Sequence, residues 1–153
     1  MIIIAEDNHT DERAQVIWAE TPTNPTLRLV PIALIASLAK RHGIPFVIDN
    51  TFSSPYYQSP LALGATIVVH SMTKYINGHS DVLLGGVATG DVALLKKLRF
   101  LQNANGNFPS AFDCWLCLRG RLSSFYRFSS AILFSFLFKS CSIDDCRSWN
   151  DDD

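Results

Sequence analysis

Short apolar runs recur along the first part of the chain, separated by polar or helical segments. They are Val16–Glu20, Pro45–Asp49, Thr66–His70 and Leu83–Ala88. Their apolar positions are continuous rather than alternating, which is typical of strands buried on both faces of a parallel sheet. We therefore predict four buried strands.

Two further segments have a helical pattern. Pro31–His42 places apolar residues on one face, begins with a proline that suits the first helical position and is followed by Gly43, a frequent helix end. Asp91 is suited to cap a second helix that reaches about Gln102. The order of strands and helices predicts an α/β domain, in which a mainly parallel sheet is flanked by helices.

The end of the chain differs in character. From about Phe125 it is rich in phenylalanine and serine without a clear period, and Phe125–Phe138 is shorter than the ~20 residues that span a bilayer. We predict one domain over residues 1–122. Residues 123–153 are expected to be an unrelated or disordered tail, such as a translated intron or a shifted reading frame.

Composition narrows the class of protein. The chain has 153 residues, of which 48% are hydrophobic and 18% charged, with a net charge of −1. These values are typical of a globular domain. The chain has no excess of basic residues, so its charge does not indicate nucleic acid or a membrane surface as a partner. The amino terminus lacks the basic and apolar regions of a signal peptide, so we expect a cytoplasmic protein.

The cysteines are expected to be reduced thiols, because a cytoplasmic chain rarely carries a disulfide framework. Cys114 and Cys117 form a C-x-x-C pair in an apolar stretch without a second ligand pair. This arrangement favours buried thiols over a metal site. We predict no metal centre.

Polar residues follow two of the predicted strands. Asp49 ends one strand, and Ser71, Thr73 and Lys74 follow the next. Ligands of parallel α/β sheets bind at the carboxyl ends of the strands. We therefore expect these side chains to face one pocket.

The residue types match the needs of one cofactor. Pyridoxal phosphate requires a lysine amine for its Schiff base, a carboxylate at its ring nitrogen and short hydroxyls for its phosphate. Lys74, Asp49, Ser71 and Thr73 supply these groups in a suitable order.

Each residue also has a simpler interpretation. An aspartate after a strand is often a turn former, a lysine in a polar loop is usually solvated, and Asn24 between prolines is a common turn residue. His70 and His79 are more often hydrogen-bonding or capping residues than catalysts.

A rival motif is present in the same segment. Ser71 and Lys74 fit the S-x-x-K pattern of serine acyl-transfer enzymes, in which the serine begins a helix. The accompanying S-D-N and K-T-G elements are missing, and a predicted strand lies directly before Ser71. The sequence therefore disfavours serine acyl transfer.

Several longer segments carry a specific resemblance. They are Glu20–Thr26 (ETPTNPT), Val47–Tyr57 (VIDNTFSSPYY), Pro60–Ala65 (PLALGA), Ser71–Asp81 (SMTKYINGHSD), Leu98–Asn103 (LRFLQN) and Phe108–Gly120 (FPSAFDCWLCLRG). Together they resemble the Cys/Met-metabolism pyridoxal phosphate enzymes, a family that includes cystathionine γ-lyase, cystathionine γ-synthase and methionine γ-lyase. The resemblance covers Val16 to Leu122, and Ser71–Asp81 is its most specific part.

The resemblance implies a fold and a set of site residues. The fold would be part of the large domain of the aspartate aminotransferase type (fold type I). Lys74 would bind pyridoxal phosphate and transfer protons, and Asp49 would pair with the pyridine nitrogen. Ser71 and Thr73 would bind the phosphate, and Asn24 would contact the cofactor's phenolic oxygen or the substrate carboxylate.

The resemblance also implies an activity. Within the family, the motifs are most similar to those of cystathionine γ-lyase. That enzyme is a carbon–sulfur lyase of trans-sulfuration, which converts cystathionine to cysteine, 2-oxobutyrate and ammonia. Cystathionine γ-synthase and methionine γ-lyase activities are the alternatives. The family further implies a homotetramer built from dimers and a small sulfur amino acid as substrate.

Family members are longer than this chain. They carry an upstream phosphate loop, a tyrosine that stacks on the cofactor, a tyrosine and an arginine from a neighbouring subunit, and a small carboxyl-terminal domain. We therefore expect a chain truncated at both ends. It is either an enzyme fragment that is inactive alone or a non-catalytic product that associates with full-length subunits.

Overall fold

The computed structural model describes residues 2–7 and 11–138, which form a mixed sheet with helices. The elements in chain order are β1 (Ile2–Asp7), β2 (Asp11–Glu20), α1 (Ile32–His42), β3 (Phe46–Asp49), α2 (Ser54–Tyr57), β4 (Ile67–Ser71), β5 (Gly85–Thr89), α3 (Val92–Ala104) and α4 (Ala111–Phe138). The four predicted strands and two predicted helices all form, with shifted ends. β1 was not predicted.

The strands lie in the order β1-β2-β3-β4-β5. The three central strands β2, β3 and β4 are parallel, whereas β1 and β5 are antiparallel to their neighbours. The predicted α/β sheet flanked by helices is confirmed, and its parallel part is confined to the centre. Parallel pairing needs a crossover that is usually a helix. Helix α1 provides that crossover between β2 and β3.

One face of the sheet is packed against α1. Residues at i, i+4 and i+7 of this helix, namely Ile32, Ala36 and Ala39, contact a strand layer that contains Ile17, Ala19, Phe46, Ile48 and Val68. These strand positions alternate along β2 and β3, as expected for one face of a sheet. Burial of each large side chain contributes about 1.5–3 kcal/mol. The core therefore holds the ends of β3 and β4 side by side.

Burial differs between the strands. β3 is buried on both faces, as predicted, because it lies at the centre of the sheet. The same prediction is wrong for β5, whose Val87 is 55% exposed, and for one face of β2, whose Trp18 is 37% exposed. β5 is the last strand on its side of the described sheet, so only one of its edges is hydrogen-bonded.

The helix ends follow local sequence signals. Gly43 adopts a left-handed conformation (φ 67°) and ends α1, as predicted. Pro31 precedes the helix instead of forming its first residue. The Asp91 carboxylate accepts hydrogen bonds from the backbone N–H groups of Ala93 and Leu94 at 2.8 and 3.1 Å, which confirms it as the cap of α3.

Helix α4 runs through the predicted domain boundary between residues 122 and 123 without a break. The sequence of this helix has no clear apolar period, so a helix was not predicted there. The domain boundary itself stays a prediction. Residues 139–153 of the expected tail lie outside the described residues. None of the helices in the described part of the chain is long and apolar enough to cross a membrane.

Candidate functional site

The carboxyl ends of β3 and β4 form one wall of a shallow concavity. β3 ends at Asp49 and β4 at Ser71, and the two strands are parallel neighbours. Asp49, Ser71 and Thr73 line the concavity, which has a volume of about 400 Å³. Its other lining residues are Val69, His70, Leu83, Leu84 and Gly85. Three of the five predicted site residues therefore share one surface.

Lys74 lies immediately beyond this wall, in a turn that we call the lysine turn (Lys74–Gly78). Its backbone N–H donates to the Ser71 carbonyl at 3.2 Å, and its carbonyl accepts from the Gly78 N–H at 2.7 Å. The side chain is exposed and is not among those that line the concavity. The structure thus fixes the backbone of Lys74 next to the site.

Asn24 is not brought into the concavity. It follows β2, whose Glu20 is paired in register with Asp49, so it belongs to the same sheet edge. It is exposed, and its backbone N–H donates to the Glu20 carboxylate at 3.3 Å. The turn around it contains two cis peptide bonds, Thr21–Pro22 and Asn24–Pro25. The ligand role of Asn24 stays a prediction.

The Asp49 carboxylate is oriented by a residue that the sequence analysis did not identify. Its Oδ1 accepts hydrogen bonds from the Thr51 N–H at 3.0 Å and from the Thr51 hydroxyl at 2.6 Å. The Thr51 hydroxyl in turn accepts from the Ser71 N–H at 2.8 Å. Because that N–H can only donate, the hydroxyl proton must point to Asp49.

Thr51 therefore connects the two strand ends that carry the site, and it is only 8% exposed. With Oδ1 engaged, Oδ2 of Asp49 is the oxygen that can accept from a ligand. A sequence signal existed, since an aspartate that bonds the N–H two residues later forms an Asx turn. Asp49 can therefore be a turn former and a ligand at the same time. The two oxygens of the carboxylate allow both.

His70 borders the concavity from within β4. It is buried, and its Nδ1 has no hydrogen-bond partner among the described residues. Burial lowers the pKa of His70, while the nearby Asp49 charge opposes that shift. Its ring is therefore neutral at neutral pH. His79 instead fits the hydrogen-bonding interpretation, because its Nδ1 donates to the Asn77 carbonyl at 2.7 Å.

The donor set of the concavity fits pyridoxal phosphate in part. The free oxygen of Asp49 suits a protonated ring nitrogen, and Ser71 supplies a hydroxyl nearby. The Thr73 hydroxyl accepts from the Leu84 N–H at 3.0 Å and lies 3.4 Å from the Leu84 carbonyl. Thr73 therefore also ties the segment that follows β4 to the start of β5.

The alternative chemistries find little support. Ser71 is the last residue of a strand, whereas the serine acyl-transfer motif needs a serine at a helix start. Cys117 is buried and Cys114 is half-buried, both are free thiols, and burial raises the pKa of Cys117. Within residues 2–7 and 11–138, no cluster of three or more His, Cys, Asp or Glu side chains could hold a metal ion.

Comparison with known proteins adds independent information. Residues 4–126 match the family model of the Cys/Met metabolism PLP-dependent enzymes. Cystathionine γ-lyase of Saccharomyces cerevisiae is 52% identical over 126 residues, which are 80% of this chain and 32% of the yeast protein. The chain spans about a third of the length of the curated relatives it matches.

Solved structures agree with the sequence matches. A cystathionine γ-synthase of Xanthomonas oryzae, in complex with aminoacrylate and cysteine, superimposes with a TM-score of 0.71 at 45% identity over 72% of this chain and 29% of its own. An apo methionine γ-lyase of Micromonospora echinospora gives a TM-score of 0.69 at 45% identity over 71% of this chain and 30% of its own. The similar proteins thus include lyases and a synthase.

Proposed function

The chain belongs to the Cys/Met metabolism PLP-dependent enzyme family, and we propose that Lys74 is the lysine to which pyridoxal phosphate attaches. The observation that carries the proposal is the shared concavity of Asp49, Ser71 and Thr73 beside the lysine turn. The turn places the Lys74 backbone three residues from the end of β4, within reach of that concavity for a long side chain.

The proposed residue roles follow from their chemistry. Bound pyridoxal phosphate supplies an electron sink for a substrate carbanion. Oδ2 of Asp49 accepts the hydrogen bond of the ring N–H, because Oδ1 is already engaged by Thr51. Ser71 and Thr73 donate hydroxyl hydrogen bonds to the phosphate, and Asn24 contacts the cofactor or the substrate carboxylate. The Lys74 amine accepts and returns substrate protons.

The proposed reaction is the cleavage of a carbon–sulfur bond in a small sulfur amino acid. We favour a cystathionine γ-lyase-like activity, which yields cysteine, 2-oxobutyrate and ammonia, in a cytoplasmic homotetramer. Cystathionine γ-synthase and methionine γ-lyase activities are the alternatives, because the similar proteins bear all three names. Release of cysteine, of cystathionine or of methanethiol from the matching substrates separates them.

We also propose that the chain of 153 residues is inactive alone, because it spans about a third of its curated relatives. A second candidate is a non-catalytic product that associates with full-length subunits. Large exposed apolar side chains on α3 and α4, among them Phe100, Phe112 and Trp115, favour it. Release of cysteine from cystathionine by the purified chain would refute inactivity. Co-purification with a tagged full-length subunit would support association.

The direct test concerns the cofactor. The purified chain, mixed with pyridoxal phosphate, should develop the visible absorbance of lysine-bound cofactor, and borohydride should bleach it. Lys74→Ala should abolish the band, because no amine then lies beside the concavity. Lys40→Ala, which removes an exposed lysine at the end of α1, is the matched control and should keep it. A band that survives Lys74→Ala contradicts the proposal.

A further inference from the structure

The lysine turn is closed by its own backbone. The Asn77 N–H donates to the Met72 carbonyl at 2.9 Å, and the Gly78 N–H donates to the Lys74 carbonyl at 2.7 Å. The next three carbonyls are those of Tyr75, Ile76 and Asn77, of which the Asn77 carbonyl already accepts from His79 Nδ1 at 2.7 Å.

A single side chain on α4 donates to all three of these carbonyls. One terminal nitrogen of Arg127, Nη2, donates to the Tyr75 carbonyl at 3.0 Å and to the Ile76 carbonyl at 3.3 Å. The other, Nη1, donates to the Asn77 carbonyl at 3.3 Å. A guanidinium group has five N–H donors in a rigid plane, which is why one arginine can hold three successive carbonyls.

The guanidinium group is itself held in place. Nη1 donates to the Ser123 hydroxyl at 2.7 Å, one helical turn earlier on α4. Gly78 has a φ of +70° and lies so close to the guanidinium group that a β-carbon there would collide with it. Gly78 therefore serves the turn twice, through its backbone conformation and through the space that it leaves for Arg127.

The helix also meets the turn at backbone distance. A β-carbon at Gly120 would collide with the carbonyl and the α-carbon of Asn77. The Asn77 side chain is fully buried and donates to the Asp81 carboxylate at 2.8 Å. Asp81 in turn forms an ion pair with Arg119 of the same helix. Arg119, Gly120 and Arg127 of α4 thus all contact the segment that follows Lys74.

We propose that Arg127 is a positioning residue for Lys74, an inference that rests on the proposed function. Arg127 fixes the carbonyl side of the lysine turn, while the Ser71 carbonyl fixes its amide side. The Lys74 backbone is then held at both ends, and its side chain starts from a defined point beside the concavity. The domain that carries the site consequently extends past residue 122 to include Arg127.

The test measures the turn and the cofactor separately. Hydrogen exchange at the Gly78 N–H reports the turn without any cofactor, and the Asn50 N–H, bonded to the Val69 carbonyl between β3 and β4, is the internal reference. Arg127→Gln should raise exchange at Gly78, but not at Asn50, and weaken pyridoxal phosphate binding, each by about tenfold or more, because bonds to a charged donor are lost. Arg127→Lys should restore part of both.

The control variant is Arg99→Gln, which removes the same charge from an exposed position on α3 and should change neither measurement. If Arg127→Gln also raises exchange at Asn50, that variant has loosened the sheet as well as the turn. The milder Ser123→Ala, which removes only one bond to the guanidinium group, then replaces it in the test and should give a smaller rise at Gly78. Unchanged exchange at Gly78 overturns the inference. Raised exchange with unchanged cofactor affinity also overturns it, because the contact is then only structural. A wild-type chain that binds no cofactor refutes the proposed function, and the exchange result still decides whether Arg127 holds the turn.

Discussion

The two halves of the candidate site are held in different ways. The carboxylate half, Asp49 with Thr51 and Ser71, is bonded within the sheet that forms it, and Thr51 is nearly buried. The lysine half is an exposed turn whose outer carbonyls are bonded by an arginine some fifty positions away. The first half depends on the packing of two strands. The second depends on whether a distant helix docks.

The strongest test of this difference is the substitution Gly120→Ala. In an exposed helix the change stabilises by about 1 kcal/mol, because alanine favours the helix. Here the new β-carbon would collide with the backbone of Asn77, so we expect a loss of about 3 kcal/mol or undocking of the helix. Urea unfolding and exchange at Gly78 measure the two outcomes. A stabilised variant would show that the lysine half does not depend on this contact.

The carboxylate half is tested by Thr51→Val, which keeps the shape of the side chain and removes its hydroxyl. The Ser71 N–H loses its acceptor and Asp49 loses a donor, so the free energy of unfolding should fall by about 1–3 kcal/mol.

Thr51→Ser retains the hydroxyl and is the matched control, with a smaller loss expected in urea unfolding. Exchange at Gly78 should stay unchanged in both variants, because the bond of the Gly78 N–H to the Lys74 carbonyl and the bonds of Arg127 do not involve Thr51. Equal losses for valine and serine would mean that packing, and not the hydroxyl, connects the strand ends.

The smallest expected effect concerns His70, which lies between the two halves. Its pKa is lowered by burial from the ordinary value of 6.5, so the unfolded chain takes up a proton at a higher pH than the folded chain. The stability that the neutral ring allows is complete above pH 6.5 and is lost as the pH falls from there through the folded-state pKa. Urea unfolding at several pH values in this window should show a steeper decline for the wild type than for His70→Asn. Identical pH slopes would contradict the assignment.

The carboxylate half of the site could be predicted from the sequence more completely than the contacts of the lysine half. Asp49 and Ser71 could be placed because continuous apolar runs mark the central strands, and parallel strands bring their carboxyl ends together. The hydrogen bond between the Ser71 N–H and the Thr51 hydroxyl could not be predicted. It joins positions twenty residues apart and depends on a single side-chain rotamer.

Other features escaped prediction for different physical reasons. Helix α4 lacks a clear apolar period, so neither its length nor its contact with the lysine turn was visible. Strand β1 forms by antiparallel pairing with β2, and such pairing depends on tertiary contacts more than on local preference. The position of Asn24 outside the concavity depends on the path of a proline-rich turn.

The exposed strand β5 has a practical consequence. It offers an unpaired backbone edge within the described sheet together with the exposed side chain of Val87. Such edges are templates for strand pairing between molecules, and natural proteins usually cover or charge them. Isolated at high concentration, the chain should precipitate through this edge, and a lysine in place of Val87 is the change that would keep it in solution.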